Sequence, residues 1–124
     1  MQILRLISVL VVMTLLGCAA VGSTNATKLS HRPNLITAEE IHLSTANQAY
    51  DLIRALRPQW LRGRGYKSLQ NPAEVYVNEI RYGDINSLST ITKEMIKEIK
   101  FLNIGEATVR FGPNHSSGAI LITI

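Results

Sequence analysis

The chain holds one cysteine, Cys18, so no internal disulfide can staple it. It has no apolar run of the roughly 20 residues that a bilayer-spanning helix needs. It has no internal repeat and no low-complexity tract. Its charge is nearly balanced, with 13 Lys and Arg against 9 Asp and Glu. That mild excess is too weak to argue for nucleic acid as a partner. The three histidines, His31, His42 and His115, stand far apart and in no metal-type spacing. A closed zinc site would also need cysteine or carboxylate companions. They read as surface or turn histidines, and no metal or cofactor is expected. His115-Ser116-Ser117 invites thoughts of a nucleophile. Adjacent residues seldom align as base and nucleophile, and no orienting acid or oxyanion element is identifiable. No catalytic constellation is therefore assigned, and the chain is not read as an enzyme.

What is present begins at the amino end. Arg5 is followed by an apolar run over residues 6–16, broken only by Ser8 and Thr14, and then by Gly17, Cys18, Ala19 and Ala20. One positive charge, a short apolar run and small residues make a secretory signal peptide over residues 1–17. Leu15-Leu16-Gly17-Cys18 looks like a bacterial lipobox, which is cut before the cysteine and acylated on its sulfur. A thiolate is the strongest ordinary side-chain nucleophile, which suits it to that transfer. The competing reading is a signal-peptide cysteine of no consequence. Its place directly after the apolar run favours lipidation of Cys18, and so a membrane partner reached through a lipid anchor. Several acyl chains give stable anchoring, at about 0.8 kcal/mol per buried methylene. Ala19 stands where an aspartate would suggest inner-membrane retention, so the expected address is the outer membrane of a Gram-negative cell, facing the periplasm.

Residues 18–33 are small and polar without a period, and read as a flexible tether. Residues 34–124 read as one domain. Leu35-Ile36 suits a short strand. Thr37 and Glu40 form a capping box that opens a helix over 38–42. Thr45 and Gln48 repeat the pattern ahead of a longer helix over about 46–57. Ala46, Ala49, Tyr50, Ile53 and Leu56 make its buried stripe, and Pro58 ends it. Val75 and Val77 alternate with polar neighbours, as in a strand with one polar face. Gly83-Asp84 is a turn signal, Thr92 can cap a helix over about 93–98, and residues 99–102 suit a second strand. Residues 105–110 read as a short helix or turn. Residues 119–124 are almost continuously apolar, as in a strand buried on both faces.

The pieces from Glu74 onward carry a family likeness. Glu98-Ile99-Lys100, Gly105-Glu106-Ala107, Phe111-Gly112 and Gly118-Ala119-Ile120-Leu121-Ile122 follow one another in an order that resembles the plug domain of TonB-dependent outer-membrane receptors. The likeness spans roughly residues 35–124. It implies a strand, a tucked turn, an aromatic-glycine pair and a final apolar strand. Gly112 and Gly118 are expected at positive φ or at a close backbone approach. Arg62-Gly63 or Arg64-Gly65 could stand where plugs carry an arginine-glycine pair. The chain departs from the pattern at Asn78-Glu79, where plugs commonly carry Asp-Gly. No energy-coupling box precedes the domain, and the chain stops where a barrel would begin. The resemblance implies a fold and an envelope setting, with an envelope protein or a TonB-dependent transport component as partner. It does not imply transport.

The expected fold is α+β: a small three- to four-stranded sheet covered by one main helix. One surface invites a functional reading. Arg54, Arg57, Arg62, Arg64 and Lys67 cluster with Trp60 and Tyr66 and no acid between them. Such a mix suits anionic headgroups or an acidic partner, with Arg62, Arg64 and Tyr66 as the contact residues. The plainer reading is a solvated loop whose Trp60 closes the edge of the core. The function expected is a lipid-anchored binding or interaction module of the cell envelope. The alternative is a carrier that hands a small ligand to an outer-membrane transporter.

Overall fold

The computed structural model describes residues 32–62 and 71–124. Cys18, Arg64 and Tyr66 lie outside the described residues, as do the signal peptide and nearly all of the tether. The fold is α+β. Five strands form one mixed sheet: β1 (Leu35–Ile36), β2 (Glu74–Val77), β3 (Ile80–Gly83), β4 (Glu98–Leu102) and β5 (Ala119–Thr123), in the order β1-β4-β5-β2-β3. β5 lies at the centre, parallel to β2 and antiparallel to β4. Its four residues from Ala119 to Ile122 are buried, as the apolar run requires of a strand with no wet face.

The strand that raises the count from the expected three or four to five is β3. Its first three residues are exposed, so no apolar alternation marks it. A tight turn sets it against β2. Asn78 (φ 46°) and Glu79 (φ 72°) both take left-handed conformations, as in the two-residue hairpin turns whose twist matches the strands. Asn78-Glu79 therefore makes the two-residue hairpin turn between Val77 and Ile80. Asparagine tolerates this region, whereas glutamate has no local hydrogen bond to offset the crowding of its Cβ. The Asn78 side chain also accepts a hydrogen bond from the Ile124 amide at 3.1 Å.

Helix α1 (Ala38–Leu43) begins on the expected capping box: Glu40 accepts from the Thr37 amide at 3.0 Å, and Thr37 from the Glu40 amide at 3.4 Å. Helix α2 (Ala49–Leu56) starts three residues later than the sequence pattern suggests. The Thr45–Gln48 box does not form there. Ala49 instead donates to Ile91, and Asn47 accepts from Lys93, so backbone partners 42 and 46 residues away replace the cap. The helix expected over 93–98 shortens to one 3₁₀ turn, Lys93–Met95. The Lys97 amide donates to Thr123, which draws the chain into β4 by residue 98. Helix α3 (Ile104–Phe111) has its own reciprocal cap, between Asn103 and Glu106.

Helices cover both faces of the sheet, where one main helix was expected. α1, α2 and Trp60 enclose Ile36, Val75, Ile99, Ile120 and Ile122 on one side. α3 covers Tyr76, Leu102, Ala119 and Leu121 on the other, through Ala107 and Phe111. The period of two along β5 sends alternate residues to each core. Gly112 (φ 93°) stops α3, and Gly118 (φ 80°) starts β5. A Cβ at Gly118 would overlap the Leu102 carbonyl oxygen and crowd the Phe101 ring, so the second glycine is set by close approach as well as by φ.

Candidate functional site

The basic patch divides once its side chains are placed. Arg54 and Arg62 are exposed. Arg57 is 1% exposed and belongs to the interior. Its guanidinium donates to the carbonyls of Leu56, Arg32 and Leu35 and to Glu40 Oε1 at 2.9 Å. It ties the entry to β1 onto the ends of two helices, so it is not a solvated or partner-facing charge. Trp60 is also buried. Its indole donates to the Pro33 carbonyl at 3.2 Å, and its ring stacks on Phe101 with centroids 5.7 Å apart. Trp60 closes the edge of the core, as the plainer reading had it. Arg62 remains on the rim of a hollow of about 310 Å³, beside Asn34, Gln59, Phe101, Asn103 and Ser117.

A second group of side chains had no local signal in the sequence. His115, expected at the surface or in a turn, is 5% exposed. It sits in the turn between α3 and β5, but its ring points inward to the sheet face under α3. Nδ1 lies 2.7 Å from the Gly112 carbonyl oxygen, and Nε2 lies 2.8 Å from Tyr76 Oη. Tyr76 in turn donates to Glu74 Oε2 at 3.1 Å. Arg81 grips both oxygens of Glu74, at 3.0 and 3.1 Å. Phe111 stacks on Tyr76 with centroids 3.7 Å apart and planes 6° from parallel. Glu74 and Tyr76 share a face because they stand two apart on β2. His115 joins them from 39 residues away through the tertiary fold.

The electrostatics follow from these contacts. The hydrogen bonds from Arg81 hold the Glu74 carboxyl below its ordinary value, against the opposing pull of burial, with Tyr76 adding a smaller effect in the same direction. Burial first, and then the bond to Glu74, push the Tyr76 phenol above its ordinary value. Neither serine beside His115 bonds to the ring. Ser117 Oγ donates to the Asn71 carbonyl, and Ser116 Oγ is buried with no hydrogen-bond partner. Among the described residues, no three His, Cys, Asp or Glu side chains come together as a metal site.

Two further surfaces are open. The sheet face beside α3 is bare over a shallow hollow of about 470 Å³ lined by Glu79, Glu98, Lys100, Arg110, Leu121 and Thr123. The outer edge of β3 presents Ile80, 74% exposed, and Tyr82, 51% exposed. Among the described residues no helix is long and apolar enough to cross a membrane. Compared with protein-family models, curated proteins and solved structures, the chain matches none.

Proposed function

We propose that this chain is a lipid-anchored interaction module of the bacterial cell envelope, tethered through Cys18 to the outer membrane and facing the periplasm. In this reading the plug-like domain binds a protein partner and performs no catalysis. The observation that carries it is the edge of β3. An edge strand offers unpaired backbone donors and acceptors, and β-strand addition is a common way for one protein to seat another. Ile80 and Tyr82 add exposed apolar and aromatic surface along that edge. Shallow polar hollows elsewhere suit a flat contact better than an enclosed ligand.

The hollow beside Arg62 favours a second reading, a small-ligand carrier. Phe101 gives it an aromatic wall and Arg62 an anion-seeking rim. Trp60 exposes only 4% of its surface, which leaves a ligand little ring to stack on.

The test has two stages. Cys18→Ser should leave unprocessed precursor and abolish palmitate labelling; normal processing of the variant would end the anchoring claim. Crosslinking of the acylated protein in membranes should then recover a partner that Ile80→Lys with Tyr82→Lys loses while the melting curve holds. Unchanged crosslinks in that variant, with losses in Arg62→Gln instead, would transfer support to the carrier.

A further inference from the structure

Three donor atoms converge under α3. Glu74 Oε2 lies 3.1 Å from Tyr76 Oη, Tyr76 Oη lies 2.8 Å from His115 Nε2, and His115 Nε2 lies 3.4 Å from Glu74 Oε2. Atoms that share one ion at about 2.0–2.2 Å stand about 3.0–3.4 Å from one another, so this triangle is already close to one face of a coordination sphere. The imidazole is also presented the right way round. The Gly112 carbonyl can only accept, so Nδ1 carries a hydrogen toward it at 2.7 Å. In the neutral ring that leaves the Nε2 lone pair facing Tyr76 and Glu74. Histidines that ligate metals usually donate their other ring N–H to a carbonyl or carboxylate in this way.

We propose that Glu74, Tyr76 and His115 form a site for one first-row transition ion, with one nitrogen and two oxygen ligands on one side of the ion and its other positions open to water. Imidazole and carboxylate are both ligands that such ions accept. The ion takes the place of the Tyr76 proton between the phenol and carboxylate oxygens. That proton leaves to solvent as the bond from phenolate to metal forms. Burial holds the phenol above its ordinary value in the metal-free protein, and a bound cation reverses that cost, as it does for coordinated water and thiols. Arg81 is the opposing charge. It grips Glu74 from the solvent side, and the carboxylate and phenolate together outweigh it. Arg110 is occupied with Glu79. A hollow of about 250 Å³ lined by Glu74, Arg81, Asp84 and Asn114 gives a way in and room for water ligands. Phe111, stacked on Tyr76, closes the other side. Histidine spacing could not reveal this set. Only one ligand is a histidine, and its nearer partner Tyr76 stands 39 residues away on β2.

The experiment is calorimetry of Zn(II) binding to the full chain in detergent at pH 7, with ferric citrate as a second probe. One equivalent of Zn(II) is expected to bind. Glu74→Gln, Tyr76→Phe and His115→Gln should each weaken it by at least about tenfold while a cooperative melt is retained. Tyr76→Phe is the mildest of these, since it removes one oxygen and keeps the ring on Phe111. With Fe(III), a visible charge-transfer band from phenolate to metal should appear in the native chain and vanish in Tyr76→Phe. A purely structural hydrogen-bond network cannot produce that band. His42→Gln should change neither readout. No saturable binding, or binding that survives all three substitutions, would overturn the proposal. Binding that is lost with Glu74 and His115 but unchanged in Tyr76→Phe would overturn it too, because the phenol oxygen would then be no ligand.

Discussion

The two faces of the sheet solve the same burial problem by different means. On the α1–α2 side, branched aliphatic residues from four strands meet two helices and several 3₁₀ turns in one large cluster. Its one charged intrusion, Arg57 with Glu40, is almost fully enclosed. On the α3 side a single eight-residue helix covers part of the sheet beside an open hollow. Polar groups there form a graded chain from exposed Arg81 to buried His115. The thick face makes its stability from apolar area. The thin face adds hydrogen bonds and the Arg81–Glu74 ion pair to a smaller apolar cluster. The second arrangement carries a carboxyl, Glu74, whose lowered folded value ties it to pH.

Substitutions at Arg57 should show the largest effect. Arg57→Met deletes four donated bonds and leaves carbonyls and a carboxylate in the interior, at a cost of about 3–5 kcal/mol by urea unfolding. Arg57→Met with Glu40→Leu should recover part of that loss, because the buried charge goes with its partner. A cost under about 1 kcal/mol for the single change would place the pair outside the stabilising core.

Neighbours on β5 compare the faces directly. Ile120 points into the thick core and is fully buried, while Leu121 points to the α3 side and keeps 8% of its surface. Ile120→Ala should cost about 3–4 kcal/mol, and Leu121→Ala about 2, since the open hollow lets the site collapse. Equal losses would mean that the two faces are equally tight.

Acid should weaken the thin face first. Glu74 is held below its ordinary value of 4.5 chiefly by Arg81, with burial opposing. A carboxyl lowered in the fold adds stability that is present above 4.5 and is lost as the pH falls through its folded value. Arg81→Gln should therefore lower stability at neutral and alkaline pH while changing it little at pH 3, which flattens the fall below pH 4.5. Chemical denaturation followed from pH 7 to pH 3 measures this, and an identical slope in the two proteins would remove Glu74 from the account.

The smallest effect is a gain. Glu79 sits at φ 72° and pairs with Arg110 only at the surface. Glu79→Gly relieves about 1 kcal/mol of left-handed strain and gives up an exposed ion pair worth less than that. A slightly higher melting temperature is expected, and a lower one would make the Glu79–Arg110 bridge the greater contribution.

Local chemistry was enough to place several elements. Thr37 with Glu40 marked the start of α1, Pro58 marked the end of α2, and the run from Ala119 marked the central strand. Each rests on backbone geometry or burial that a few adjacent residues control. β3 escaped because an exposed edge strand leaves no apolar period. The start of α2 and the end of the segment after Thr92 shifted because distant backbone partners took the hydrogen bonds. Of the proposed contact residues, Arg62 is at the surface beside a hollow, whereas Arg64 and Tyr66 lie outside the described residues.

By itself, the sequence determined that the domain mixes helix and strand, where its glycines must turn the chain, and that its last strand needs cover on both faces. Those properties follow from apolar periodicity and from allowed φ. Only the tertiary structure decided that Arg57 is interior while Arg62 is not, and that His115 meets Tyr76 and Glu74 under α3. Whether a polar side chain is solvated or paired depends on partners tens of residues away, and those partners are chosen by sheet order and register.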